Sequence, residues 1–211
     1  MSIGAELLRF SDKKIALFDL ETQRLNIQQD NLPFQCSIVI MQRGKVLGSH
    51  NHYIKWPDYK MGKDAAAITR FQQHWVDNGD DPEYVLEILE QYTRDEDYLI
   101  GGHNLIGFDL PVCQLWRRAL GRKPDWSPLH RTIDTHLLAR AFKMGWKPDR
   151  DNLLAWFHKV SDAHQKGVKT GLSLMAKELD IPFEEGRLHD GLYDLGLNAQ
   201  VLWKLANLME I

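Results

Sequence analysis

KIALFDLE, residues 14–21, decides how the rest of the chain is read. A short apolar run that ends in acids reads as a buried strand. Its carboxylates, Asp19 and Glu21, stand at i and i+2, and strand alternation turns both to one face. Two carboxylates that close repel each other and raise each other's pKa unless a cation lies between them. A strand-end Asp-x-Glu therefore suits a divalent-metal clamp. A solvated loop carrying two acids explains this stretch equally well when it is taken alone.

Outward from this strand, residues 36–42 (CSIVIMQ) and 46–55 (VLGSHNHYIK) flank Arg43-Gly44-Lys45 and predict an antiparallel hairpin. Residues 64–73 predict a helix capped by Asp64. Pro82 opens a clearer helix, Pro82–Thr93, with Val85, Leu86, Ile88 and Leu89 at helical spacing. Residues 98–104 (YLIGGHN) predict a strand that runs into a glycine-containing loop, and 109–120 a helix ended by Gly121. A short strand at 131–135 leads into a helix over 134–144. The signal between 145 and 170 is mixed, with a helix-like stretch at 152–160 among many charges, and this is the segment expected to move. Helices follow at 171–180 and 190–209. Three strands, helices, a strand, a helix, a strand and more helices imply an α/β fold, a mixed five-stranded sheet flanked by helices on both faces.

Two further stretches concentrate polar residues at element ends. Gly101-Gly102-His103-Asn104-Leu105-Ile106-Gly107-Phe108-Asp109 begins at a strand end and finishes at a helix start. Asp109 on its own is explained as a helix cap. His189-Asp190-Gly191-Leu192-Tyr193-Asp194 precedes the last helix. Five residues of ideal helix rotate the chain by about 500°, so His189 and Asp194 meet only if His189 lies in the loop before a helix capped by Asp190.

Taken in order, FDLET, HN…FD and H-x4-D resemble the DEDDh (DnaQ-like) family of 3′–5′ exonucleases, which have an RNase H-like fold. The segments RTIDT (131–135) and LSLMAKELDIP (172–182) resemble the family's intervening stretches, and the likeness spans roughly residues 14–206. The resemblance implies that Asp19, Glu21, Asp109 and Asp194 are the four metal-binding acids and His189 the general base. It implies that Thr22 sits beside the terminal 3′-hydroxyl, that Asn104 and Phe108 line the terminal nucleotide, and that Leu25 wedges against the last base. Three residues, Leu105-Ile106-Gly107, separate Asn104 from Phe108 where proofreading relatives have two, a spacing more like exonuclease domains attached to DNA polymerases. Gly107 is expected to absorb the extra residue as a kink. After Thr22, Gln23-Arg24-Leu25 replaces a commoner small-residue turn.

The implied chemistry is phosphodiester hydrolysis with two Mg²⁺ or Mn²⁺ ions roughly 3.5–4 Å apart. Such hard cations prefer oxygen ligands. A histidine, titrating near neutrality, suits removal of a proton from the attacking water. The implied substrate is a single-stranded or frayed DNA 3′ end, the implied product a 5′-mononucleotide, and the implied partner a DNA polymerase or another replication protein. RNA ends, internal cutting of the RNase H kind, and a non-catalytic nucleic-acid-binding accessory module are the competing readings.

Composition is ordinary for a soluble globular protein. The chain has 211 residues, 44% of them hydrophobic and 26% charged, which suits one domain over 1–211. No apolar run approaches a membrane span, and MSIGAELLRFSDKK lacks a secretory apolar stretch, so an intracellular, cytoplasmic protein is expected. Cys36 and Cys113 read as buried free thiols. The net charge of −3 conceals a basic block. Residues 111–170 carry 12 basic and 5 acidic side chains, against 11 and 17 in residues 1–110. Such a block suits a phosphate backbone, while solvated helix faces are the plainer reading. Among Trp116, Trp126, Trp146 and Trp156, core packing is expected for most and stacking on bases for the rest. His50-x-His52 and the His130…His136 pair lack a third ligand at suitable spacing and read as ordinary histidines.

Overall fold

The computed structural model describes residues 13–149, 152–163 and 165–210. Most of the N-terminal stretch and part of the Asp149-Arg150-Asp151 run fall outside these residues. Strands β1 (Lys14–Thr22), β2 (Pro33–Gln42) and β3 (Lys45–Tyr53) are followed by helices α1 (Lys63–Thr69), α2 (Gln73–Asp77) and α3 (Pro82–Thr93). Strand β4 (Tyr98–Gly102), helix α4 (Asp109–Ala119), strand β5 (Thr132–Asp134) and helices α5 (Thr135–Lys143), α6 (Leu153–Asp162), α7 (Leu172–Glu178) and α8 (Gly191–Leu208) complete the order. The sheet runs β3-β2-β1-β4-β5, as expected of a mixed five-stranded sheet. β1 pairs antiparallel with β2 and parallel with β4, so the parallel strand ends meet at the centre.

Alternation along β1 builds two cores. Ile15 and Leu17 face α5 to α8, while Ala16, Phe18 and Leu20 face α3 and α4. Asp19 and Glu21 continue the odd-numbered series, so they emerge on the face that α8 covers. α8 packs across β1 and β2, and Leu195, Val201, Leu202 and Leu205 are buried there. Trp116 and Trp156 are core residues, and Trp126 and Trp146 are exposed. Cys36 and Cys113 are free and buried, as expected. In the mixed segment, α6 is anchored by Leu153, Trp156, Phe157 and Val160. No helix among the described residues is long and apolar enough to cross a membrane.

Three expectations need correction. The helix over 64–73 is two short helices. Its first turn begins after Gly62 rather than at an Asp64 cap, and Arg70 ends it with φ 54°. The reversal brings Phe71 against Phe34, with ring centroids 5.1 Å apart, and Trp75 stacks on Tyr53 at 4.9 Å. Packing of this aromatic cluster outweighs local helix propensity. Asp109 is the first helical residue of α4 and not its cap, which is Phe108. Gly107 is no left-handed kink, because Asn104 takes the positive φ, 65°. A Cβ on Gly107 would lie 2.4 Å from Asn104 Oδ1, so a side chain there would have to turn the exposed Asn104 amide aside.

Part of the basic block is engaged within the protein. Buried Arg117 pairs with Glu90. Arg122 reaches Glu83, Glu87 and Glu90 at 2.7–3.1 Å. Arg131 donates to the carbonyls of Thr93, Asp95 and Tyr98. Lys143 pairs with Glu178 at 2.8 Å. Removing one partner of a buried pair leaves an uncompensated charge. Arg117→Ala is expected to lower unfolding stability by about 3 kcal/mol in denaturant titration. Arg118→Ala, on the exposed face of the same helix, is expected to change it by less than about 0.5 kcal/mol.

Candidate active site

All five residues singled out for catalysis converge at one end of the sheet. Asp19 and Glu21 arrive from the end of β1. Asp109 arrives from the first turn of α4, where it is 4% exposed and its Oδ1 accepts the Leu20 N–H at 2.9 Å. That bond ties α4 to the strand between the two β1 acids. Asp194 lies in the first turn of α8, whose cap is Asp190, accepting from Tyr193 N at 3.3 Å. His189 lies just before this cap, in the left-handed region at φ 66°. Its N–H donates to Asp194 Oδ2 at 2.9 Å. His189 thus arches over Asp194 from the loop, as the angular argument requires.

Two features let α8 begin so close to the sheet. A Cβ on Gly191 would lie 2.2 Å from Ser37 Oγ and 3.7 Å from Asp19 Oδ2, so only glycine fits. Ser37 faces Asp19 across the β1–β2 ladder and donates to Asn51 Oδ1 at 3.0 Å. Glu21, His189 and Asp194 each bring one ligand atom within 4.8 Å of the others.

The electrostatics are those of crowded acids. Burial, and then the Asp194 carboxylate, raise the Asp19 pKa to about 7. Burial raises Glu21 to about 9, aided by Asp19, Asp194 and Asp190. Asp109 is held well above the usual carboxylate range by burial and by Asp19, against the pull of the Leu20 N–H. Burial raises Asp194 too, opposed by the His189 N–H. Asp194 Oδ1 is buried with no hydrogen-bond partner among the described residues. An orphaned carboxylate oxygen amid mutually repelling acids is a donor set suited to hard divalent cations.

The surrounding positions divide. Thr22 is buried and its hydroxyl donates to Arg24 O at 2.6 Å, so it is engaged in the turn after β1. Asn31, also buried, closes that turn with bonds to Arg24 and Asn26, leaving Leu25 56% exposed at its tip. Asn104 is exposed and Phe108 half-buried on the loop before Asp109. Asp134 is a residue whose part in the site the sequence did not disclose. It is fully buried, and its carboxylate accepts from the backbone N–H groups of Asn104, Ile106, His136 and Leu137 at 2.9–3.3 Å. It caps α5 and fixes the Asn104 loop together. A TIDT sequence shows the cap, but the loop partners lie about 30 residues upstream. His50 and His52 bond Tyr92 and Asp80 on the opposite face and take no part.

No family model matches the chain. DNA polymerase III PolC-type from Mycoplasma genitalium is 26% identical over 186 residues, which are 88% of this chain and 11% of that protein. Among solved structures, exonuclease I matches with TM-score 0.71 and 17% identity over 93% of this chain. Its zinc-bound Escherichia coli form with single-stranded DNA gives 0.72 and 17% over 93%. The complex with a dA16 oligonucleotide gives 0.72 and 18% over 94%. The chain spans about a tenth of the polymerase and about two-fifths of exonuclease I. The fold is therefore the RNase H-like fold of exonuclease I, in agreement with the resemblance to DnaQ-like exonucleases.

The raised carboxylates set the sign of a pH test. An acid whose folded pKa exceeds its unfolded value stabilises the protein below the unfolded value, and that contribution is lost as pH rises through the folded one. In chelator, the melting temperature is expected to fall as pH rises from about 4, through the Asp19 value of about 7, to the Glu21 value of about 9. Added Mg²⁺ or Mn²⁺ is expected to restore it, most strongly at the alkaline end. A melting temperature indifferent to cations at pH 9 would contradict the crowding.

Proposed function

We propose that this chain is a divalent-metal-dependent 3′–5′ exonuclease of the DnaQ-like kind, releasing 5′-mononucleotides from single-stranded or frayed DNA ends. One observation carries the reading: Asp19, Glu21, Asp109, Asp194 and His189, from three separate segments of the chain, meet at one end of an exonuclease I-like fold. DNA is preferred to RNA because exonuclease I is seen with DNA oligonucleotides and the sequence relative is a DNA polymerase. The same relative supports work beside a polymerase.

In this reading the four carboxylates hold two cations, Mg²⁺ or Mn²⁺. When bound, these supply charge neutralisation and Lewis acidity at the phosphodiester. Asp109 and the β1 acids are fixed by the Leu20 bond and the ladder, so the donors are oriented before substrate arrives. His189 accepts the proton of the attacking water. Its backbone bond to Asp194 holds the imidazole over the carboxylates. Asn104 and Phe108 line the terminal nucleotide, steadied by Asp134. Thr22 sits beside the 3′-hydroxyl in the turn that it closes. Leu25, at the exposed tip of that turn, wedges against the last base.

A 5′-labelled strand is expected to give a descending ladder with Mg²⁺ or Mn²⁺ and none in chelator, and circular single-stranded DNA to survive. Asp19→Ala, Asp109→Ala and Asp194→Ala are expected to be nearly inactive. Cutting of the circle would favour an internal nuclease, and faster digestion of RNA ends an exoribonuclease.

The left-handed backbone at His189 allows a cleaner test of the base. Glycine adopts positive φ at no steric cost. His189→Gly is expected to melt no lower than wild type while single-turnover rates fall by about 10²–10⁴-fold. Near-normal turnover would remove His189 from the mechanism.

A further inference from the structure

The loop that delivers His189 to the site is built around a single 3-10 turn, Glu185–Arg187. Phe183 and Leu188, on either side of that turn, are half-buried against the core. The residues between them, Glu184, Glu185, Gly186 and Arg187, are exposed. A segment with so few buried contacts has little of its own with which to hold a fixed shape. Yet His189 at its end keeps a left-handed backbone, φ 66°, which persists only when surrounding contacts impose it.

The contacts that reach this loop differ in kind. Lys177 on α7 pairs with Glu185 at 2.6 Å, and both side chains are more than half exposed. An exposed pair of this kind adds little. Arg70, just beyond α1, donates Nη1 to Gly186 O at 2.5 Å through a long exposed side chain. Tyr193 stands in the first turn of α8, half-buried, and meets the loop twice. Its hydroxyl oxygen accepts the Glu184 N–H at 2.6 Å. The Arg187 guanidinium lies over its ring, 4.3 Å from the centroid, where the ring quadrupole attracts a cation.

Tyr193 is followed directly by Asp194, whose Oδ2 accepts the His189 N–H at 2.9 Å. Successive helical residues point about 100° apart. The start of the loop is therefore tied to one side of the first turn of α8 and its end to another, with Glu185 to Leu188 spanning the gap. We infer that Tyr193 is a positioning residue. By fixing Glu184 and Arg187 it shapes the loop so that the His189 imidazole stands over the carboxylates. The inference rests on the reading of His189 as the general base. Tyr193 acts through the loop and needs no contact with the reacting atoms. Its loss is expected to fall on the chemical step, because a base is used only there.

Tyr193→Phe removes the acceptor and keeps the ring, and Tyr193→Ala removes both while leaving a strong helix former in α8. Residue-by-residue hydrogen exchange of the metal-free protein is expected to quicken at Glu184 and also at His189, whose own acceptor on Asp194 is untouched. Tyr193→Phe is expected to melt as the wild type does. A displacement of about 1 Å costs up to about 10²-fold in rate, so with Mn²⁺ and a thymidine oligonucleotide kcat is expected to fall about tenfold in Tyr193→Phe and about 10²-fold in Tyr193→Ala, with KM held within about twofold. Added to His189→Gly, neither substitution is expected to slow turnover further, because the group that Tyr193 positions is gone. A general loss of structure would multiply with that of His189→Gly instead. Unchanged exchange at His189, or losses that multiply, would overturn the inference. Faster exchange at both amides in a protein whose wild type cleaves no DNA or RNA end would keep the positioning of His189 and sink the exonuclease reading.

Discussion

Repulsion among Asp19, Glu21, Asp109 and Asp194 is the constraint around which the rest of this structure is arranged. Four carboxylates buried together at one sheet end destabilise the metal-free fold: burial first, and then neighbouring carboxylates, raise their pKa values. The fold holds them there regardless. The Leu20 N–H pins Asp109, the β1–β2 ladder fixes Asp19 and Glu21, and α8 starts against the sheet because residue 191 has no Cβ. His189 accepts a left-handed backbone to bond Asp194, a local cost of about 1–3 kcal/mol that persists only where surrounding contacts over-determine it. Strain and repulsion at one place are what a cation-binding site looks like when the surrounding scaffold is stable enough to bear them.

That scaffold depends on charges placed elsewhere. Glu90 gathers Arg94, Arg117 and Arg122 at the back of α3 and α4, and Arg131 ties the end of α3 to the start of β4 through backbone carbonyls. Three arginines of the basic block, Arg117, Arg122 and Arg131, thus secure the helices behind the sheet. In the proposed reading, contact with a nucleic-acid strand is left to the loops at the sheet end, among them the Leu25 turn and the Asn104 loop.

How much of this was legible in the sequence follows from the range of the interactions. β1 and its two acids are set by period-2 alternation within eight residues, and α8 by its periodicity and an Asp cap. Those local rules sufficed to place His189 over Asp194. Where contacts between distant segments decide, local signals fall short. Phe71 breaks the helix over 64–73 because it packs on Phe34, far upstream. Asp109 has the composition of a cap, yet its carboxylate bonds Leu20, 89 residues away in sequence. The arginines of 111–170 read as free because Glu83, Glu87 and Glu90 lie outside that window. Asp134 reads as an ordinary cap, since nothing local reveals its grip on the Asn104 loop.

The central claim is that the crowded carboxylates are built to hold divalent cations, and calorimetric titration of Mn²⁺ into the metal-free protein tests it most directly. Measured in buffers of different ionisation enthalpy, binding is expected to saturate at two ions per chain with net release of protons, because burial, and then neighbouring carboxylates, hold Asp19 and Glu21 partly protonated. Asp194→Asn is expected to weaken binding sharply without unfolding the chain. No saturable binding by the folded wild type, or binding that releases no protons near pH 7, would contradict the account.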